Sequence, residues 1–141
     1  YKAAKRLEPI LEAHDFSTFP GAADAVAGWW RDHGKDGEFP HALMPPSAVI
    51  VTADGEPVAF LSCYWAVSAP VAWIDWPVTK PRTLLAITRS ALLLAADALE
   101  RAAKANGYSL VQVFTVPAIA WTLRRSGWND AGQKIHLAKR L

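Results

Sequence analysis

The stretch WIDWPVTKPRTLLAITRSALLL, Trp73 to Leu94, changes its hydrophobic period partway along, and that change decides the fold. Trp73 to Trp76 reads as the end of an apolar strand. From Thr83 to Asn106, Arg89, Asp97, Glu100, Arg101 and Lys104 keep to one side while Leu, Ile and Ala cover the rest. That is the pattern of a helix packed broadly on a sheet. A strand that turns into a helix leaves free helix amides at the turn, which is where proteins often cradle a phosphate. Glycine normally lets the backbone come close at such a turn, yet this stretch contains none.

Upstream, SAVIVTA (47–53) and EPVAFLSCYWAVS (56–68) flank Asp54-Gly55. Asp-Gly between apolar runs marks a hairpin, because both central residues of a type I′ turn need positive φ. VAWIDW (71–76) follows closely enough to continue the meander antiparallel. Earlier, AADAVAGWWRDHG (22–34) has the spacing of a helix with Ala25, Val26, Trp29 and Trp30 inward, and KDGEFPHALMPP (35–46) is loop by its Gly and Pro content. EPILEAHDF (8–16) fits either a short strand or a first helix. Downstream, Gly107 ends the long helix and YSLVQVFTV (108–116) reads as a strand. PAIAWTLRRSG (117–127) is a helix opened by Pro117 and closed by Gly127, and QKIHLAKRL (133–141) alternates like a final edge strand. The order is α+β, with a mixed, mostly antiparallel sheet and helices on both faces.

The chain has 141 residues, 52% of them hydrophobic, and is expected to form a single domain over residues 1–141. A net charge of +2 is too mild for a nucleic-acid binder. Residues 1–40 carry 5 basic and 7 acidic side chains, against 10 basic and 6 acidic from residue 41 on, a bias that suits either an anionic ligand or solvated helix faces. Cys63, the single cysteine, excludes a disulfide framework and fits a cytoplasmic setting. Pro57 to Thr79 is poor in charge, but Pro70, Ser62 and Ser68 divide it into strand-sized pieces, so no membrane span is expected.

From about Ala22 to Leu141 this order resembles the GCN5-related N-acetyltransferase (GNAT) family. WIDWPVTKPRTLL stands where the family has a strand and the turn and helix that bind the pyrophosphate of acetyl-coenzyme A. VFTVPAIAWTLRRSGW stands at the family's later strand–helix–Gly-Phe unit, with Gly127-Trp128 for Gly-Phe, and SGWNDAGQKIHLAKRL looks like its closing loop and strand. The resemblance implies acetyl-CoA as co-substrate and an amine as acceptor. It places the coenzyme along Trp76, Pro77, Val78, Lys80, Arg82, Thr83 and Leu84. The family's phosphate motif begins with Gln or Arg, places Gly three residues later, and Gly or Ala two after that. Here Lys80, Thr83 and Leu85 take those positions. Thr83 is expected to cap the helix with its hydroxyl, while Lys80 and Arg82 supply charge. Leu85 adds bulk and Pro81 removes an amide.

The family often has a tyrosine four residues before the Gly of Gly-Phe to protonate the leaving thiolate; that position is Leu123. Tyr64 and Tyr108 are the nearby alternatives, either as acids or simply as core. Asp75, the only charge between Pro57 and Thr79, is the candidate base for the amine, unless it is an outward-facing residue at the strand's end. Alternation puts Asp75 and Trp73 on one face of the strand and Ile74 and Trp76 on the other. His14, His33, His41 and His136 share no metal-ligand spacing, though His41 is placed to line a substrate cleft. Trp29, Trp30, Trp65, Trp73, Trp76, Trp121 and Trp128 are too many for one core, so some are expected at a ligand or partner surface. Two functions follow from the resemblance and its departures. One is an acyl-CoA-dependent N-acetyltransferase, and the other a catalytically inactive module presenting a Trp-rich surface to a protein partner.

Overall fold

The computed structural model describes residues 8–141 other than 36, 46, 133, 136 and 140, so His136 lies outside the described residues. The elements run β1 (Leu11–Asp15), α1 (Ala22–Asp32), a 3₁₀ turn (His41–Leu43), β2 (Ser47–Ala53), β3 (Glu56–Trp65), β4 (Val71–Thr79), α2 (Leu85–Ala105), β5 (Leu110–Val113) and α3 (Pro117–Arg124). The strands form one sheet in the order β1-β2-β3-β4-β5. The first three neighbouring pairs are antiparallel, and β4 pairs with β5 in parallel after the α2 crossover.

The central strands are apolar on both sides, and each side receives a helix. On β2 and β3, Ala48, Ile50 and Phe60 face α1, where they meet Ala22, Val26 and Trp29. Val51, Leu61 and Cys63 face α2, against Ala91, Leu92, Ala95, Ala96 and Leu99. Near-continuous apolar runs such as AVIV and VAFL are what strands covered on both faces require. Alanine along α2 keeps that helix close to the sheet. The hairpin forms as its sequence predicts: Asp54 and Gly55 have φ of 49° and 85°. Asp54 also accepts the Ile10 amide at 2.9 Å, which ties the turn to the start of β1. That tie settles the 8–16 segment as strand.

Both later helices end in a 6→1 and 5→2 hydrogen-bond pair around a left-handed glycine. Tyr108 and Gly107 donate to Ala103 and Lys104, and Trp128 and Gly127 donate to Leu123 and Arg124. Gly127-Trp128 therefore closes α3 and lays the Trp128 ring against the core.

Several expectations are corrected. Thr83 does not cap α2: Arg82 takes φ 61°, so helical geometry begins only after Leu84, the N-cap, which makes no side-chain capping bond. Trp76 does not share a face with Ile74. Ile74 packs on the α2 side and Trp76 on the α1 side, because the strand is bulged between them. β3 stops at Trp65 and β5 spans only Leu110–Val113. None of the described residues of 133–141 is in a strand. The outer edge of β5 instead borders an open groove of about 1080 Å³ between Lys104, Gln112, Phe114 and Arg124.

Cys63 is fully buried, and burial pushes its thiol up to about 11, so it stays protonated at neutral pH. A maleimide or disulfide reagent is expected to label Cys63 only as fast as the sheet opens, and at once in denaturant. Labelling within seconds under native conditions, read by mass spectrometry, would contradict the packing of α2 on β3.

Candidate functional site

The distinctive local geometry lies in the second half of β4. Phe60 pairs with Val78 and Ser62 with Asp75, so two residues of β4, Trp76 and Pro77, oppose the single residue Leu61. This is a β-bulge, and a proline with no amide to donate is tolerated there. Trp76 adopts φ 57°, a left-handed conformation that is unfavourable for a bulky residue. Three contacts hold it. Its indole Nε1 donates to the Tyr64 hydroxyl at 2.6 Å, its ring lies 6.0 Å from that of Trp30, and its backbone N–H donates to Asp75 Oδ1 at 2.7 Å. The Ser62 hydroxyl, buried beneath, donates to the Asp75 carbonyl at 2.9 Å. The bulge thus turns the Trp76 amide away from the strand ladder and toward a carboxylate.

The same stretch is where the sheet splits. β4 and β5 pair from Val71 with Leu110 to Ile74 with Val113. Beyond that point β4 continues along β3 to Thr79, while the chain after Val113 leaves for α3. A V-shaped opening between two parallel strands results, with the bulge at its apex. The turn that follows β4 delivers the N-terminus of α2 to the same end of the sheet. With Leu84 as a cap lacking a side-chain acceptor, the first amides of α2, at Leu85, Ala86 and Ile87, have no intrahelical partners. The positive end of the helix dipole and unpaired N–H groups together favour an anion.

The predicted residues fall into three groups. Asp75, Tyr64, Trp76 and Pro77 meet at the bulge, and Asp75 is exposed. Val78 is buried under α1 and serves the core. Lys80, Arg82, Thr83 and Leu84 form the turn before α2. Within it the Lys80 amide donates to the Val58 carbonyl at 2.9 Å, and its ammonium lies 3.5 Å from Glu56. That pair is solvent-exposed and worth little, so Lys80 is free to exchange partners. Arg82 is exposed and has no carboxylate partner among the described residues. Leu84 and Leu85, 71% and 61% exposed, point into solvent, so the leucine that replaces a glycine does not fill the space over the first turn.

Tyr64 is tied on both sides, accepting from Trp76 and donating to the Leu43 carbonyl at 2.9 Å. Tyr108 does not join the site. Its hydroxyl donates to the Ala66 carbonyl and its ring packs on Trp65, at the opposite end of β4 from the bulge. Leu123 is buried in the core. His41 sits on the 3₁₀ turn with its ring 4.9 Å from Phe39, on the α1 side of the sheet with Tyr64 and Trp76. Its turn is part of that wall. Trp29 is buried, Trp121 is 45% exposed, and the other tryptophans are partly buried. No group of three metal-ligating side chains exists among the described residues. No helix among them is long and apolar enough to cross a membrane.

Sequence reasoning missed two features. The bulge has only one local signal, a proline inside an apolar strand. The buried Trp30 Nε1, which has no hydrogen-bond partner, has none at all.

No family model and no curated protein matches the chain. Solved structures do. The aminoglycoside N-acetyltransferase AAC(6')-Iy, solved with the bisubstrate analogue CoA-S-monomethyl-acetylneamine, is 16% identical with a TM-score of 0.66, covering 94% of this chain and 99% of that one. The aminoglycoside acetyltransferase meta-AAC0020, from an uncultured soil metagenomic sample, is 15% identical with a TM-score of 0.63 over 94% and 95%. SA2161 of meticillin-resistant Staphylococcus aureus, a protein of unknown function, is 9% identical with a TM-score of 0.62 over 92% and 100%. The chain therefore has the fold of GNAT-type acetyltransferases, and the α+β architecture expected from its sequence is the one it adopts.

Tyr64→Phe deletes one hydroxyl and strands two partners, Trp76 Nε1 and the Leu43 carbonyl. It is expected to lower unfolding stability by about 1–3 kcal/mol, measured by urea denaturation. A neutral result would mean that water replaces the hydroxyl and that the bulge does not depend on it.

Proposed function

We propose that this chain is an acyl-CoA-dependent N-acetyltransferase acting on an amine, as a single GNAT-like domain in the cytoplasm. One observation carries the reading: the β4 bulge turns a backbone amide toward the opening between β4 and β5, at the sheet end where α2 begins with unpaired amides. A thioester lying along β4 brings its carbonyl to that amide and its pyrophosphate to the helix. Likeness of fold to enzymes that include a CoA-bound aminoglycoside acetyltransferase supports the same choice of co-substrate.

In this reading the Trp76 N–H leaves Asp75 Oδ1 and donates to the thioester carbonyl oxygen, polarising it and stabilising the oxyanion. The released Asp75 carboxylate accepts a proton from the substrate ammonium. The amine nitrogen then attacks the carbonyl carbon, the N–C bond forms, the C–S bond breaks and coenzyme A leaves as thiolate. Water supplies its proton, since Leu123 has none and the Tyr64 hydroxyl is engaged by the Leu43 carbonyl. Positioning does most of the work. Trp76, Pro77 and Val78 border the pantetheine arm, with Lys80, Arg82, Thr83 and Leu84 at the phosphates.

The second reading, a module that binds a protein partner through an aromatic surface without catalysis, draws on the lack of glycine in the turn and on the exposed Leu84, Leu85 and Trp121. Calorimetric titration with acetyl-CoA followed by thiol release across a panel of amines separates the two. Binding and turnover support the enzyme, and an absence of both supports the module.

Asp75→Asn keeps an oxygen to accept the Trp76 amide, so the fold and coenzyme binding should persist while kcat falls roughly 10²–10⁴-fold. Full activity in that variant would exclude Asp75 as the base. Replacing Lys80 and Arg82 together by alanine should weaken coenzyme A binding by on the order of 1–3 kcal/mol, and more so at low salt. Unchanged affinity would move the phosphates elsewhere.

A further inference from the structure

Beside the first turns of α2 lies a cluster of cations that the transfer reaction leaves unused. Arg89, one turn into α2, places its guanidinium carbon 4.5 Å from the ring centre of Trp121 on α3, and Arg125, just past α3, places its own 4.7 Å from the same ring. Two like charges are thereby held within about 10 Å of each other. They stand near the positive end of a helix dipole, which disfavours them further. The ion pairs formed among the described residues are Lys80 with Glu56, Arg101 with Asp97 and Arg124 with Asp130; neither Arg89 nor Arg125 takes part. The indole offsets a part of this repulsion. It remains 45% exposed, so a flat aromatic surface is presented together with two unneutralised forked donors.

The complementary ligand is a phosphate dianion attached to a planar heterocycle. Guanidinium groups bind phosphate oxygens in pairs, and both guanidinium and indole planes accept a stacked base. The position narrows the choice. β4 leads into α2 and β5 into α3, and because those strands are parallel both helices start at the end of the sheet where the V opens. Arg89 and Trp121 each lie four residues inside their helix, about 6 Å beyond its first turn at the α-helical rise. A nucleotide whose pyrophosphate rests on the first amides of α2 reaches this cluster with its sugar and base.

We infer that Arg89, Trp121 and Arg125 form the subsite for the adenosine 3′-phosphate end of the acyl donor. The protein accordingly selects coenzyme A thioesters over donors that end at pantetheine phosphate. The inference rests on the acetyltransferase reading for the placement of the pyrophosphate, while its charge argument stands on the cluster itself.

The test is calorimetry on the full chain with coenzyme A, dephospho-coenzyme A and adenosine 3′,5′-bisphosphate. Coenzyme A should bind roughly 10–100-fold more tightly than its dephospho form, the range of one or two charge-assisted hydrogen bonds. Adenosine 3′,5′-bisphosphate should bind on its own, and the preference should shrink as salt rises. In Arg89→Gln/Arg125→Gln, which keeps the side-chain stems and hence the packing on Trp121, the two coenzymes should bind equally. Trp121→Ala should weaken both coenzymes alike, through lost stacking. Equal binding of the two by the parent protein, or a preference that survives in the double Gln variant, would overturn the subsite. The two readings fail separately. A 3′-phosphate preference without acetyl transfer to any amine defeats the enzyme alone, and equally efficient transfer from acetyl-CoA and its dephospho form defeats the subsite alone.

Discussion

One extra residue in β4 sets the geometry on which the candidate site depends. Without the bulge at Trp76 and Pro77, alternation would carry Trp76 to the α2 side with Ile74, and its amide would stay in a strand ladder. With it, the Trp76 ring joins Trp30 on the α1 side and the amide becomes available to something other than a strand. The left-handed φ at Trp76 opposes this arrangement. It persists because the surrounding contacts over-determine it: the Tyr64 hydroxyl, the Trp30 ring, and a Ser62 hydroxyl bonded to the preceding carbonyl.

Those contacts also link the bulge to the loop before β2. Tyr64 is the joint, since its hydroxyl accepts from β4 and donates to the 3₁₀ turn at Leu43. Phe39, from the same loop, is buried between Trp30 and Phe60 with its ring edge-on to both. A glycine- and proline-containing loop is thus anchored as a wall beside Asp75. At the far end of β4, His33 from the end of α1 meets the Thr79 carbonyl at 2.7 Å. The α1 side of the sheet is therefore fastened to β4 at two places, one before and one after the bulge.

The α2 side supplies charge. A turn without glycine still leaves the first amides of α2 unpaired, because the left-handed residue is Arg82 and the cap is a leucine with nothing to offer them. Arginine tolerates that conformation poorly in general, so the turn exchanges some backbone comfort for a cation beside the helix N-terminus. The two further arginines around Trp121 continue the positive surface along the helix pair. The glycine-free turn thus places cations beside the amides that a glycine-rich turn would merely expose.

Much of this architecture was legible in the residues. Asp54-Gly55 located the hairpin, the two-sided apolar strands called for a helix on each face, and Pro117 and the C-terminal glycines marked the later helices, because each signal acts within a few residues. The site was only partly legible. Asp75 and Lys80 to Leu84 stood out by charge and position, but the sequence could not say that Trp76 changes face, since a bulge is decided by the pairing of β4 with β3. It could not separate Tyr64 from Tyr108 either: both are strand-associated aromatics, and only the sheet topology puts one at the bulge and the other at the opposite end. The Arg89–Trp121–Arg125 cluster joins residues more than thirty positions apart, brought together by the packing of α3 on α2. Local chemistry determined where the strands, turns and helices begin; register and helix packing decided which side chains share a surface.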